Sequence, residues 1–142
     1  MSDVNYDVVV EWTGNDGRGV VDTNFNRSNE MSTEGRPTIP GGTDDWSPEH
    51  LLVAAVSQCT MLWFLHLCGK ANVNVHGYTD AATATLTLEG SRGQVTEVVL
   101  HATVAAPGAD PEKVRSLFEK AGELCYIART LNCPVKHELH LS

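Results

Sequence analysis

Four cysteines, at positions 59, 68, 125 and 133, are the residues of this 142-residue chain best suited to chemistry. A cysteine attacks as its thiolate, and the same sulfur can pass through a sulfenic acid to a disulfide. The gaps between them are 9, 57 and 8 residues, with no C-x2-C pair and no histidine at finger spacing, so they make no zinc pattern. Cys59 and Cys68 fall in one apolar helical stretch, where nine residues rise about 13 Å, too far for a disulfide. The same reckoning separates Cys125 from Cys133 if the second helical region reaches Asn132. Cys59 and Cys125 lie on different helices. Two apolar helix faces in a small domain tend to meet, so these two thiols are able to approach despite 66 residues of separation. Inert packing is the alternative for each, because free cysteine is among the commonest core residues.

The elements that must position these sulfurs are legible in outline. SPEHLLVAAVSQCTMLWFLHLCG, Ser47 to Gly69, opens with Ser47 as N-cap and Pro48 at the first helical position, and Glu49 complements the positive helix end. It runs to about Cys68, with Gly69 as its stop. The helix is apolar on all sides, which places it at the centre of the molecule or of a dimer. Leu51 to Cys68 is short for a membrane span and contains Ser57, Gln58, Thr60 and His66, so burial in protein is expected rather than a membrane. ADPEKVRSLFEKAGELCYIARTLN is the second helical region, capped by Asp110, with Val114, Leu117, Phe118, Ala121, Leu124 and Cys125 recurring at three and four.

Strands surround these helices. VNYDVVVEW (4–12) reads as a strand, TGNDGRG as a turn and GVVDTNF as the return strand of a hairpin. Residues 26–45 read as a loop with one short strand. ATATLTLEG and VTEVVLHATV alternate as two antiparallel strands about the turn EGSRG, and CPVKHELHLS closes the chain as a strand. The order β-β-(β)-α-β-β-α-β predicts one α+β domain over 1–142, with an antiparallel sheet and two helices.

Composition narrows the partners. With 10 Lys and Arg against 18 Asp and Glu, the net charge is −8 and the basic residues are scattered. No basic surface exists to neutralise phosphates, so nucleic acid is not expected. MSDVNYDVVVEW has neither a basic nor an apolar leader segment, and thiols without a secretion signal suit a reducing, cytoplasmic setting.

Pro48-Glu49-His50-Leu51-Leu52 followed by Ala54-Ala55-Val56-Ser57-Gln58-Cys59 resembles the helix signature of the OsmC family, the osmotically inducible and organic hydroperoxide resistance proteins. Ala121 to Cys125 and then Ala128 to Leu131 resemble that family's second helix, and Gly41-Gly42 and the late PGAD also fit. The resemblance covers nearly the whole chain. It implies an intertwined α+β homodimer and a thiol peroxidase that uses no metal, flavin or other cofactor. By analogy Cys59 is the peroxidatic thiolate that attacks an organic hydroperoxide. Cys125 resolves the sulfenic acid as a disulfide, and a small dithiol or lipoylated protein reduces that bond. Met61, Trp63 and Phe64 are candidates to line a dry site.

The family polarises its thiol with an arginine near the N-terminal hairpin, held by the acidic residue of the S-P-E motif. Glu49 fits the second role. Ten residues rise about 15 Å along a helix, so Glu49 and Cys59 share a site only if two antiparallel copies build it. The family's arginine falls near Asn15 or Asp16, which makes Arg18 the first candidate and Arg36 the other. Tyr126 stands where proline is usual after the second cysteine, and Ala128 where serine is. His66 is seven residues from Cys59, about 10 Å along the helix and beyond direct contact. His101, His137 and His140 fall on strands. The rival readings are a non-catalytic module binding a small hydrophobic ligand at the dimer interface, and a structural dimer with inert thiols.

Overall fold

Hydrophobic alternation along residues 92–105 builds the spine of the larger part of the molecule, as seen in a computed structural model that describes residues 5–14, 16–17 and 25–142. The chain divides into two compact units, residues 1–51 and 52–142.

In the first unit, β1 (Val9–Trp12), β2 (Asn29–Ser32) and β3 (Ile39–Gly41) form an antiparallel sheet in the order β1-β2-β3. Among the described residues β1 pairs with β2, and the expected return strand GVVDTNF lies, but for Phe25, outside the described residues. The segment read as loop holds two short strands instead of one. Asn26 makes this possible: its side-chain amide donates to Thr13 Oγ1 at 3.1 Å and to the Gly14 carbonyl at 2.9 Å, closing the long connection. Gly42 (φ 131°) passes so close to the backbone of Arg27 that an added Cβ would sit 3.0 Å from its carbonyl oxygen.

The helix α1 (Pro48–Lys70) begins as the sequence predicts. Ser47 Oγ accepts the His50 N–H at 3.2 Å, and the Ser47 N–H donates back to His50 Nδ1 at 3.3 Å, a reciprocal cap with histidine in the place usual for Glu or Gln. The expected stop at Gly69 is corrected. Asn72 takes the left-handed conformation (φ 58°), and Val73 and Asn72 donate to the carbonyls of Cys68 and Gly69. These are the two bonds of a Schellman motif, and the asparagine serves where glycine was expected.

In the second unit, α1 buries Val56, Thr60, Phe64 and Cys68, one residue per turn. These meet the inward row of β6 (Arg92–Ala105), which is Val98, Leu100, Ala102 and Val104. The helix α2 (Pro111–Leu124) adds Val114, Phe118 and Ala121, with the Phe64 and Phe118 rings edge to face at 5.7 Å. Asp110 caps α2 by accepting the Glu112 N–H, as its sequence predicts. By length and composition alone α1 could cross a membrane. Its buried stripe fits the core helix of a soluble protein.

Strands β4 (Gly77–Asp80) and β5 (Thr83–Glu89) run antiparallel to β6, and β4 is an addition to the predicted order. The closing strand β7 (Val135–Leu141) corrects the all-antiparallel expectation by pairing parallel to β6 from Val98↔Val135 to Val104↔Leu141. The cause is the connection. A helical crossover carries the chain back to the starting end, so the next strand runs the same way. The fold is α+β, as predicted, with a mixed sheet. The second helical region is also not continuous: α2 ends at Leu124, and α3 (Tyr126–Thr130) starts after Cys125.

Candidate active site

The break between α2 and α3 is what places the second sulfur. Cys125 leaves the helical conformation (ψ 115°) and its Sγ accepts the Ala128 N–H at 3.4 Å, so the thiol serves as the N-cap of α3. Cys125 is fully buried, and its S–H donates to the Val56 carbonyl of α1 at 3.8 Å. Val56 lies three residues before Cys59 on the same helix. Cys59 is half-buried and close enough to Cys125 for the two thiols to influence each other, so the structure brings together the two thiols that the sequence singled out. Both are free.

The electrostatics of this pair run in two directions. Burial, the largest influence, raises the Cys59 thiol above its ordinary value, and the neighbouring Cys125 adds to the rise. The backbone N–H groups of Ile127 and Tyr126 lower it. These are first-turn donors of α3 that no preceding helical turn can occupy. The net direction is upward.

Cys59 opens onto a cavity of about 490 Å³, whose wall is mostly apolar and is lined by Ala55, Gln58, Leu62, Trp63, His66, Tyr126 and Ile127. That volume lies within the usual range of about 300–1,000 Å³ for small-molecule sites. Trp63 lines it as the sequence suggests. Met61 does not, and Phe64 packs into the core against Tyr78 and Phe118. His66 shares the cavity with Cys59. Tyr126 and Ile127 were not expected there, and their position directly after Cys125 was the available signal.

The proposed activating groups are placed differently. Glu49 is exposed in the first turn of α1, and Arg36 is exposed in the turn before β3, where its N–H donates to the Thr33 carbonyl at 3.3 Å. Both belong to the first unit. Arg18 lies outside the described residues.

A polar tie that no spacing rule announces fixes α1 beside the site. Ser57 Oγ donates to Asp80 Oδ2 at 2.6 Å, and the His101 N–H donates to Asp80 Oδ1 at 2.8 Å. His101 and His140 are exposed, and His101 Nδ1 pairs with Glu138 at 2.8 Å. His137 is half-buried beneath α2, edge-on to Phe118. Among the described residues no group of three or more His, Cys, Asp or Glu could hold a metal ion.

Residues 41–140 match the family described as OsmC-like protein. Among solved structures, an OsmC-like protein of unknown function from Vibrio cholerae is 26% identical over 98% of this chain and 99% of that one, with a TM-score of 0.86. An organic hydroperoxide resistance protein from Elizabethkingia anophelis superposes with a TM-score of 0.68 at 20% identity, covering 99% of each chain. One from Legionella pneumophila does so at 0.68 and 18%, again over 99% of each. At those identities the last two speak for the fold. No curated protein sequence matches the chain significantly.

Proposed function

The chain belongs to the OsmC-like protein family, and from that premise we propose that it is a thiol-dependent peroxidase that reduces organic hydroperoxides. The observation that carries this reading is a half-buried Cys59 at the wall of an apolar cavity, beside a buried Cys125. The Cys59 thiolate attacks the distal oxygen of R–O–O–H. The O–O bond breaks, the sulfur becomes a sulfenic acid, and the departing alkoxide takes a proton to leave as the alcohol. The Cys125 sulfur then attacks the Cys59 sulfur, and the hydroxyl group leaves as water with one proton. The products are one alcohol, one water and a Cys59–Cys125 disulfide. An external dithiol or lipoylated protein supplies the two electrons that reopen it.

Burial and Cys125 both oppose the anion this reaction needs, so a cation must lower the Cys59 thiol. Arg18, or else Arg36, held by Glu49 and supplied by a second copy of the chain, is the proposed source. An obligate homodimer also accounts for the apolar side chains that α1 leaves open, Leu62 at 56% and Leu65 at 37% exposed. The setting is the cytoplasm, and the role is defence against peroxide stress.

The test is peptide mapping after one equivalent of cumene hydroperoxide, under denaturing, non-reducing conditions, with Cys59→Ser as control. A 59–125 crosslink and loss of turnover in a folded Cys59→Ser protein are the expected results. Two intact thiols would leave the second reading, a module that binds a hydrophobic ligand without turnover. The upward direction of Cys59 favours that second reading.

A further inference from the structure

The wall of the Cys59 cavity carries more aromatic surface than dryness alone requires. The Trp63 ring meets Tyr126 edge to face at 5.5 Å and 79°, and meets His66 at 5.8 Å and 82°. Rings set nearly at right angles form a corner, with one wall offering a π face and the next a ring edge. A flat ring entering such a corner can stack offset on one wall and meet the other edge to face, the two arrangements that the ring quadrupole favours. An aliphatic group of the same size fills the same space without either.

Two further observations tie the corner to the reacting sulfur. Trp63 is one turn beyond Cys59 on α1, so its side chain lies on the same helix face. Tyr126 directly follows Cys125, at the start of α3, and its ring stays 66% exposed although it is held against Trp63. An aromatic side chain held against a neighbouring ring and still exposed is available surface. Gln58 is the one uncharged amide on a lining that is otherwise apolar, aromatic or sulfur-bearing.

Resting on the peroxidase reading of Cys59, we propose that the Trp63–Tyr126 corner makes this site selective for hydroperoxides that carry a flat π ring on the carbon bearing the peroxide group. Trp63 and Tyr126 are its specificity-determining residues. Area burial alone would favour a cyclohexyl group as much as a phenyl group, so the discrimination comes from ring geometry.

The experiment compares cumene hydroperoxide with its size-matched saturated analogue, 2-cyclohexyl-2-propyl hydroperoxide, by kcat/KM in wild type, Trp63→Leu and Tyr126→Leu. Binding of the two unreactive alcohols, 2-phenyl-2-propanol and 2-cyclohexyl-2-propanol, is measured in parallel by chemical-shift titration. The expected wild-type preference for the phenyl compound is about tenfold, falling towards unity in both variants. Equal kcat/KM for the two hydroperoxides in wild type overturns the proposal. Absence of turnover with a retained phenyl preference in alcohol binding, lost in both variants, sinks the peroxidase reading and keeps ring recognition. Absence of both turnover and preference sinks the two together.

Discussion

Cys125 donates its S–H to the carbonyl of Val56 at 3.8 Å, on the same helix that carries Cys59 three residues later. The inner thiol is thus sheltered, while the outer one faces the cavity. If Cys125 is the resolving residue, Cys125→Ser should let Cys59 react once and then stall. Such a protein is expected to consume about one equivalent of hydroperoxide, with Cys59 trapped as a sulfenic acid and open to further oxidation. Mass spectrometry of the intact protein against added dithiol checks this. Continued full turnover in Cys125→Ser would assign resolution elsewhere.

Tyr126 contributes a backbone group that proline, usual at this place in the family, cannot. Its N–H and that of Ile127 lower the Cys59 thiol against the upward push of burial. Position 126 is the first residue of α3, where proline is conformationally tolerated. Tyr126→Pro should therefore keep the fold while removing one donor to the thiolate. A hydrogen bond to a charged group is worth about 1.5–3 kcal/mol, so alkylation of Cys59 at pH 7 should slow about tenfold. Tyr126→Ala retains the N–H and should not show that slowing. Iodoacetamide kinetics on Cys59 in the two variants separate the backbone from the ring.

The thiol pair was readable because its cause is local. Val56, Thr60, Phe64 and Cys68 recur at one helical turn, as do Val114, Phe118 and Ala121, and facing stripes of that kind meet. The kink at Cys125 was not readable, since LCYIART carries neither glycine nor proline to announce a break, and Gly122 lies within the helix before it. The extended ψ of Cys125 is held by its own sulfur on Ala128. The parallel placement of β7 escaped for a different reason. CPVKHELHLS alternates identically whichever way its neighbour runs, and only the helical crossover decides the direction. The pairing of β1 with NEMS was not legible because NEMS has little strand chemistry of its own. Asn26, which closes the longer connection, looks like any loop asparagine.

Ser57 anchors α1 two residues before Cys59. Its hydroxyl donates to Asp80 at 2.6 Å, and Asp80 also accepts the His101 N–H. Ser57→Ala should leave one carboxylate oxygen short of its donor in a half-buried place. The expected loss is about 1.5–3 kcal/mol in urea unfolding. Asp80→Ala in the Ser57→Ala background should then cost less than it does alone. A double-mutant cycle checks this coupling, and strict additivity would show that the bond holds nothing in place.

His137 gives the fold its own acid sensitivity. Burial beneath α2 lowers its pKa below the ordinary value of about 6.5, while a bond to the Val135 backbone and the charge of Asp80 only partly oppose the fall. Its buried Nε2 has no hydrogen-bond partner, and an added Cβ on Gly122 would lie 2.8 Å from it. Because the folded state holds His137 neutral, the unfolded chain binds the extra proton first as pH falls. The contribution of His137 to stability is therefore complete above about pH 6.5 and is lost as pH falls towards the lowered folded-state value. The slope is at most about 1.4 kcal/mol per pH unit. His137→Gln should flatten this limb relative to wild type when urea midpoints are compared at pH 7 and pH 5. Gly122→Ala should destabilise at both pH values, by about 1–3 kcal/mol, since the new Cβ forces the His137 ring out of its place against Phe118. Parallel pH profiles for wild type and His137→Gln would place the acid sensitivity in another group.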